Sequence, residues 1–545
     1  MNTPVPCPGG AAPARRHRRV VSWAAALLCV ATAATAQPAD PLRTTVEKAI
    51  QGNPEIAAQF NAYRAADDAI AVSRGGFFPR LDLDASAGRD RQTIKNQVPT
   101  SQTLTRTGVS LTLSQLLWDG LATSRDVSRL NHEKVARYFD LLNTAEQTAL
   151  EAARSHYDVI RYRRLVELAE DNYVQHKYAT LQIQSRFQAG VGRGVDFEQV
   201  TARLALAESN MTTELSNLHD VTARYQRVVG DSPPPQLPVP TLLQQGVPAS
   251  AGETAGLSVE RSPQVSASIE QLRAAQRLVQ VREAAYQPRV EARLRGGAGR
   301  NYEGVNDQTR NATAEVVLSW NLFNGGSDRA RVRQQVNLVN QAADLRDKAC
   351  RDTRQTAVIA FNDTRKLTEQ IGYLERNTRS IERARDAYRQ QFDTGVGQRS
   401  LLDLLNAENE VYTARRSLAN AQFDQGVAYV RTQASLNTLV SGLGLSRPDT
   451  GKVEDEGWSA GDDAPGRCPQ ITPDVPPIKR TELDARADQL IKANPAAVAP
   501  AVPAMTPANP AAAPAVPQMT PRNEPRPTTR QPGRTQSGQT GTTPR

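Results

Sequence analysis

Apolar positions switch repeatedly between two periods along this chain. From Leu42 to Phe77 they recur at helical spacing, with a break at Gly52-Asn53-Pro54, and Pro79 ends the run. From Leu81 the period becomes two: Leu81, Leu83, Ala85 and Ala87 alternate with Asp82, Asp84, Ser86 and Gly88, and after a polar loop Val109, Leu111 and Leu113 alternate with Ser110, Thr112 and Ser114. After Trp118 the helical period returns. Tyr138, Leu142, Ala145, Ala149 and Ala152 step by four and three, a heptad seam. From Trp118 to a Gly-rich turn at Gly190 is 72 residues (190 − 118), about 108 Å of helix if unbroken. The chain returns from Gly192 to Gly230, passes a joint rich in proline (Pro233, Pro234, Pro235, Pro238, Pro240), and enters a shorter helix from about Ser262 to Tyr286.

The order then starts again. Val290, Ala292 and Leu294 alternate with Glu291, Arg293 and Arg295, and Ala314, Val316, Leu318 and Trp320 with Glu315, Val317, Ser319 and Asn321, before a second seam at Leu338, Ala342, Leu345 and Ala349. The residues themselves repeat. Phe187-Gln188-Ala189-Gly190-Val191-Gly192 matches Phe392-Asp393-Thr394-Gly395-Val396-Gly397, and Leu117-Trp118-Asp119-Gly120 matches Leu322-Phe323-Asn324-Gly325, both at a shift of 205 (392 − 187, 322 − 117). Upstream, Asn53-Pro54-Glu55 matches Ser262-Pro263-Gln264 and Phe78-Pro79-Arg80 matches Gln287-Pro288-Arg289 at 209 (262 − 53, 287 − 78). The chain is a duplicated structural half, and the four missing residues are expected in a surface loop between the second pair of strands.

Strands of roughly 10–12 residues with one apolar and one mostly polar face suit a bilayer outside and water inside. The first 36 residues read as a secretory signal: Arg15 to Arg19 basic, Val20 to Val30 apolar, and Ala34-Thr35-Ala36 ahead of Gln37 as cleavage site. A lipoprotein signal would use Cys29, but Leu28 before it fits poorly. No later run approaches the ~18 apolar residues of a membrane helix. Four strands cannot close a barrel and an open edge cannot survive in lipid, so the barrel must be shared between chains. Two chains give eight strands and three give twelve. A soluble amphipathic hairpin and a free-standing coiled coil are the competing readings.

Composition narrows this further. The 545 residues are 39% apolar, 23% charged and only 5% aromatic, which favours long helices meeting through small side chains. The net charge of +9 draws on arginines of the signal and of a biased C-terminal tail, so it gives little reason to invoke nucleic acid. Beyond the signal only Cys350 and Cys468 remain, too few for a disulfide framework. No HExxH or GxxxxGK[ST] is present, and His132, His156, His176 and His219 lack ligand spacing, so no enzyme activity, metal or cofactor is expected. Residues 451–463 are acidic, and 493–545 are dominated by Pro, Ala, Thr and Arg, a composition that reads as disordered.

The segment Gly397-Gln398-Arg399-Ser400-Leu401-Leu402-Asp403-Leu404-Leu405-Asn406-Ala407-Glu408, with its partner Gly192-Arg193-Gly194-Val195-Asp196-Phe197-Glu198-Gln199-Val200-Thr201-Ala202-Arg203, resembles the TolC family of outer-membrane efflux proteins over roughly Leu42 to Gly444. The resemblance implies an α+β membrane protein: a homotrimer whose 12-stranded β-barrel, four strands per chain, sits in the outer membrane of a Gram-negative bacterium and continues into a long α-helical barrel in the periplasm. The organisation expected is a signal (1–36), a first repeat (37–240), a second repeat (241–446) and a tail (447–545). A periplasmic membrane-fusion adaptor and an inner-membrane pump are the implied partners. The Ser400-Leu401-Leu402-Asp403-Leu404-Leu405-Asn406 form looks most like the branch serving type I secretion, in which an ABC transporter exports a protein substrate; the exit duct of a drug or metal efflux pump is the alternative, and a periplasmic structural coiled coil a third.

By the same resemblance, Asp403 and Asn406 stand where two acidic rings narrow the pore, the second here uncharged. Arg399 fits a basic residue that latches the closed end, with Glu198 as its partner. Gly190-Val191-Gly192 and Gly395-Val396-Gly397 are the turns where the adaptor docks. Trp118, Trp320 and Phe323 lie at strand ends where an aromatic belt meets the membrane surface.

Overall fold

Local chemistry starts the second helix of each repeat in the same way. The computed structural model describes residues 40–448, apart from 94, 97, 99, 302–306 and 395–400, together with 457–461 and 479–493. In the first repeat α1 (Pro41–Gly52) and α2 (Pro54–Arg74) precede β1 (Arg80–Thr93), β2 (Ser101–Trp118), α3 (Ala122–Gln188) and α4 (Gly194–Val229). In the second, α5 (Ala251–Arg261) and α6 (Pro263–Glu283) precede β3 (Arg289–Arg300), β4 (Gln308–Ser319), α7 (Ser327–Thr394), α8 (Leu401–Ser435) and the short α9 (Leu439–Gly442). Asn53 Oδ1 accepts from the Glu55 amide at 2.8 Å ahead of Pro54, and Ser262 Oγ accepts from the Val265 amide at 3.3 Å ahead of Pro263, so each helix opens with a side-chain cap followed by proline. A separate unit, residues 473–545, contributes α10 (Arg480–Ala493).

The long helices run 67 residues (α3) and 68 (α7), each about 100 Å. The main core lies where α1, α3, α4, α8 and α9 meet, around Leu42, Val46, Tyr157, Val159, Tyr225, Val430 and Leu439. The first seam is buried throughout, from Tyr138 to Ala152. The second is not: Ala349 is buried, but Leu338 and Leu345 are 42% and 51% exposed. The reason is flanking. Helix α3 is covered by α2 on one side and α6 on the other, whereas α7 packs on α5, α6 and α8 and has within the chain no equivalent of the α3–α6 contact on its other side.

The four strands form one antiparallel sheet in the order β1-β2-β3-β4. The apolar positions share one face through rungs such as Leu81–Leu113–Leu294–Ala314, and the polar positions the other through Asp82–Thr112–Arg295–Thr313. A β-bulge between Leu116 and Trp118 interrupts the β2–β3 ladder where the sheet hands over to the helices.

Several sequence expectations are corrected. Both hairpins leave seven residues between their strands, 94–100 and 301–307, so the four-residue difference is not in a loop. It lies in the ladder: β1 pairs with β2 from Arg80–Ser114 to Thr93–Ser101, and β3 with β4 from Arg289–Ser319 to Arg300–Gln308, two rungs fewer. Two residues are lost from each strand because a hairpin can shorten only in pairs if its faces are to stay in phase. The first hairpin is accordingly longer than anticipated, with strands of 14 and 18 residues. The helix expected from about Ser262 is preceded by another, α5, whose cap Ser250 accepts from the Glu253 amide at 3.2 Å. Cys350 is disulfide-bonded, a bridge not anticipated from a cysteine count too low for a disulfide framework; its partner lies outside the described residues. Finally, residues 457–461 of the tail are packed on the body, with Trp458 joining Tyr63, Phe139 and Ile269.

Candidate pore-lining site

Alternation fixes what the sheet shows on each side. Along the distal part of β2 the odd positions from Ser101 to Val109 are exposed and the even positions from Gln102 to Ser110 are screened, so the sheet is concave on its polar side. At the other end of the sheet, next to the helices, a hollow of about 1060 Å³ is lined by Asp82, Asp84, Ser114, Arg293, Arg295 and Glu315 among others. Within it Glu291 takes Arg289 at 2.5 Å and Arg293 at 2.8 Å, and Arg80 pairs with Asp82 at 2.7 Å. Both signs of charge alternate on a wet surface, an arrangement that conducts polar solutes rather than binding one. The convex side carries Leu83, Leu111, Leu294, Val316 and Leu318 in the open, the apolar belt of a transmembrane strand.

Below the bulge the aromatics collect. Trp118, Trp320 and Phe323 are 43%, 55% and 85% exposed, and Trp320 Nε1 donates to the Tyr286 carbonyl at 3.1 Å. Phe77, Phe78 and Tyr286 stand exposed at the same junction. Sequence reasoning passed over these three because they fall between elements, where no period marks them. Here Asp119 Oδ2 accepts from the Thr123 amide and hydroxyl at 2.9 and 2.6 Å, turning the strand into α3. Gly120, at φ +68°, is pressed by Gln287, whose Cβ would lie 2.6 Å from an added Cβ. Gly325, its repeat partner at φ +69°, has nothing within 4 Å.

At the far ends of the helices Gly190 (φ +76°) and Gly192 close the turn between α3 and α4: the amides of Val191 and Gly192 both donate to the Arg186 carbonyl, at 3.1 and 3.0 Å. A Cβ on Gly192 would approach the Phe187 amide nitrogen to 2.8 Å, so this position needs glycine for close approach. Val191 is 79% exposed at the tip. Gly395, Val396, Gly397 and Arg399 lie outside the described residues. Asp403 stands in the first turn of α8, half-buried, and Glu198 is exposed near the start of α4.

Asn406 is held rather than open. Its Oδ1 accepts from Arg203 Nη2 at 2.8 Å, which ties α8 to α4. Two residues on, Glu408 is buried and takes Arg385 at 3.1 Å and Arg389 at 2.5 Å from α7, and Arg389 also donates to Gln175 of α3 at 2.7 Å. Higher up, Arg416 reaches the buried Glu214 at 2.7 Å, and Arg415 pairs with Glu382 at 2.7 Å. Charged contacts thus tie α8 to α4 and α7, beside an apolar cluster of Leu401 and Leu405 with Ala179, Ile183 and Val200. Arg203 and Glu408 fall within the two segments that carry the family resemblance, but their roles needed a three-dimensional partner. Among the described residues no group of three or more His, Cys, Asp or Glu is placed to hold a metal ion, and no helix is long and apolar enough to cross a membrane.

The family model for outer membrane efflux proteins matches residues 45–230 and 255–438, one segment for each repeat. Outer membrane efflux protein BepC of Brucella suis is 24% identical over 427 residues, covering 77% of this chain and 91% of its own. Alkaline protease secretion protein AprF of Pseudomonas aeruginosa is 23% identical, covering 70% and 81%. Among solved structures, VceC of Vibrio cholerae superposes with a TM-score of 0.63 at 16% identity, covering 73% of this chain and 96% of its own. Fold, sheet and both repeats therefore agree, and the chain belongs to the outer membrane efflux protein family, whose members are channels of the Gram-negative outer membrane.

Proposed function

We propose that three copies of the chain close a twelve-stranded barrel and that the trimer is the exit duct of a tripartite export system, joined through a periplasmic adaptor to an inner-membrane ABC transporter and serving type I protein secretion. The observation that carries the duct is the pair of open edges: β1 and β4 are each unpaired on one side within the chain, on a sheet whose convex face is apolar. The duplication says what meets them. Gly325 and exposed Phe78 stand to each other as Gly120 and Gln287 do, so Phe78 of the next copy is the group that fills the space at Gly325. The open flank of α7 at Leu338 and Leu345 awaits α2 of that copy by the same relation.

The run Leu401-Leu402-Asp403-Leu404-Leu405-Asn406 and the likeness to a protease secretion protein support type I secretion. In this reading the periplasmic end carries one ring of Asp403 carboxylates beside Asn406, Arg399 and Glu198 form the latch, and the glycine turns at 190–192 and 395–397 receive the adaptor. A deletion strain tests it. Loss of a large secreted protein with unchanged sensitivity to small toxic compounds is expected; a drug- or metal-sensitive strain with normal secretion would assign the duct to an efflux pump instead.

A further inference from the structure

The outward face of the sheet has two zones. From the aromatic junction up to the rung of Val109, Ala85 and Ala298 it is apolar except for Gln115 and, on that last rung, Arg310. From Trp118 to Val109 is nine residues of rise, about 30 Å along the strand and roughly 23 Å of height at a ~40° tilt, close to the ~25 Å band of an outer-membrane barrel. Beyond that rung the same face changes character. It presents Arg89 and Arg91 on β1, Arg300 on β3, and Thr103, Thr105 and Thr107 on β2, with Arg310 on β4 at the rung of Ala298; all are exposed. No Asp or Glu shares this face on any of the four strands. Among the described residues none of the four arginines forms an ion pair, and Arg91 makes only a 3.5 Å contact to Ser101 Oγ.

Arginines gathered on one sheet face with no counter-charge repel one another, a cost that a bound anion removes. The gathering tightens on closure. Arg300 stands opposite Gln308, so Arg310 is its diagonal neighbour. Within the chain Thr107 of β2 pairs with Arg300 of β3. Carried by the repeat shifts to the seam between copies, that register places Ala312 opposite Arg91 of the next copy (107 + 205 = 312; 300 − 209 = 91). Arg310 is then diagonal to that Arg91 as well. Each seam brings together arginines of two copies, just above the apolar band and at the barrel end remote from the helices, which is the outer leaflet side.

We propose that this collar is a binding surface for phosphate groups on the headgroups of outer-leaflet glycolipid, completed by two copies of the chain at each seam. Guanidinium forks suit phosphate oxygens in pairs, and the threonine hydroxyls of β2 extend the polar surface beside them. The proposal rests on the trimeric barrel. The test uses the full-length trimer in neutral detergent with two probes of equal acyl composition, bisphosphorylated lipid A and the same lipid dephosphorylated, and reads affinity by thermophoresis. Binding at least tenfold tighter to the phosphorylated probe is expected, with at least a tenfold loss in Arg91→Gln/Arg310→Gln while conductance and the heat-sensitive trimer persist. Equal affinity for both lipids, or an unaffected variant, overturns the collar, and full competition by millimolar inorganic phosphate overturns the lipid as its source. Should the double variant fail to assemble, Arg300→Gln is read in its place, with at least a threefold loss expected and no loss overturning the collar. A wild-type chain that is monomeric refutes the barrel and not the collar alone.

Discussion

Trp458 donates its indole Nε1 proton to Glu270 Oε1 at 2.9 Å, although the two residues are 188 positions apart and one of them sits in the tail. The ring lies edge-on to Phe139 at 4.9 Å, and Arg273 holds the carbonyls of Ser459 and Ala460 at 3.0 and 2.7 Å. Burial works to raise the Glu270 pKa, but hydrogen bonds from His132, Trp458 and Arg273 hold its carboxyl below the usual range. Removing the indole leaves a buried charge one donor short and a gap against Phe139. Trp458→Ala should cost about 2 kcal/mol and speed proteolysis near residues 457–461 by roughly tenfold. Trp458→Phe, which keeps the aromatic contact, should lose about half as much. Equal protease resistance in wild type and the alanine variant would show that the strap contributes nothing.

The strap also marks where sequence reading stopped. The duplicated order, the alternation of Leu81 to Ala87 and the seam from Tyr138 to Ala152 were legible because each is a periodic signal many residues long. Trp458 was not, since a single aromatic in an acidic, Gly-rich stretch has no period and its socket is built from α3 and α6. The same applies to Arg203 and Asn406: the motif pointed to position 406, but the guanidinium that occupies its amide comes from the other repeat.

Two buried titratable groups oppose each other. Burial pushes the Glu146 carboxyl up to about 7, against the amides of Leu439 and Val440, which favour its charge. Burial pushes His156 down to about 4, with its Nδ1 2.9 Å from Thr45 Oγ1. A raised carboxyl contributes stability that is complete below its ordinary value of 4.5 and lost as pH rises to 7. A depressed imidazole contributes stability that is complete above 6.5 and lost as pH falls to 4. Each is of order 3 kcal/mol, so their slopes cancel between about pH 4.5 and 6.5. Glu146→Gln should therefore leave a trimer whose Tm falls steeply on acidification below pH 6.5, whereas His156→Asn should give one whose Tm rises. Parallel profiles for both variants would contradict the assignment.

Gly426 lets α8 lie against α3. An added Cβ would come within 2.4 Å of Tyr157 Cε1, and Tyr157 is 1% exposed with nowhere to move. Alanine gains about 1 kcal/mol in helix propensity over glycine, but overpacking a rigid ring costs about 2–3 kcal/mol. Gly426→Ala should be destabilising on balance, and Gly426→Ala/Tyr157→Leu should recover part of the loss. A more stable Gly426→Ala protein would mean that the helices can separate.

Asn406→Asp tests the proposed pore ring. The new carboxylate would meet Arg203 at the 2.8 Å site and stand one helical turn from Asp403, adding a second acidic position to each copy. Millimolar divalent cation should then reduce single-channel conductance at a concentration at least fivefold lower than in wild type, and Asn406→Asp/Arg203→Ala should be more sensitive still. If conductance responds identically in all three, residue 406 does not face the conducting path.

The sharpest test of closure comes from the repeat itself. Within the chain Ser114 of β2 stands opposite Arg293 of β3. The shift of 205 carries Ser114 to Ser319 on β4, and the shift of 209 carries Arg293 back to Asp84 on β1 (114 + 205 = 319; 293 − 209 = 84), so the seam between copies should set Ser319 opposite Asp84. The parity agrees: this register puts Trp320 beside Leu83 and Leu318 beside Ala85 on the apolar face, and Ser319 and Asp84 on the polar one. A slip of one residue would turn a whole strand over into lipid. Ser319→Cys/Asp84→Cys should oxidise to a covalent trimer, because directly opposed Cβ atoms on antiparallel strands lie about 5 Å apart. Ser319→Cys/Gly88→Cys, four residues out of register and roughly 13 Å away, should stay monomeric on denaturing gels. Preferential cross-linking of the second pair would mean that the seam does not repeat the β2–β3 interface.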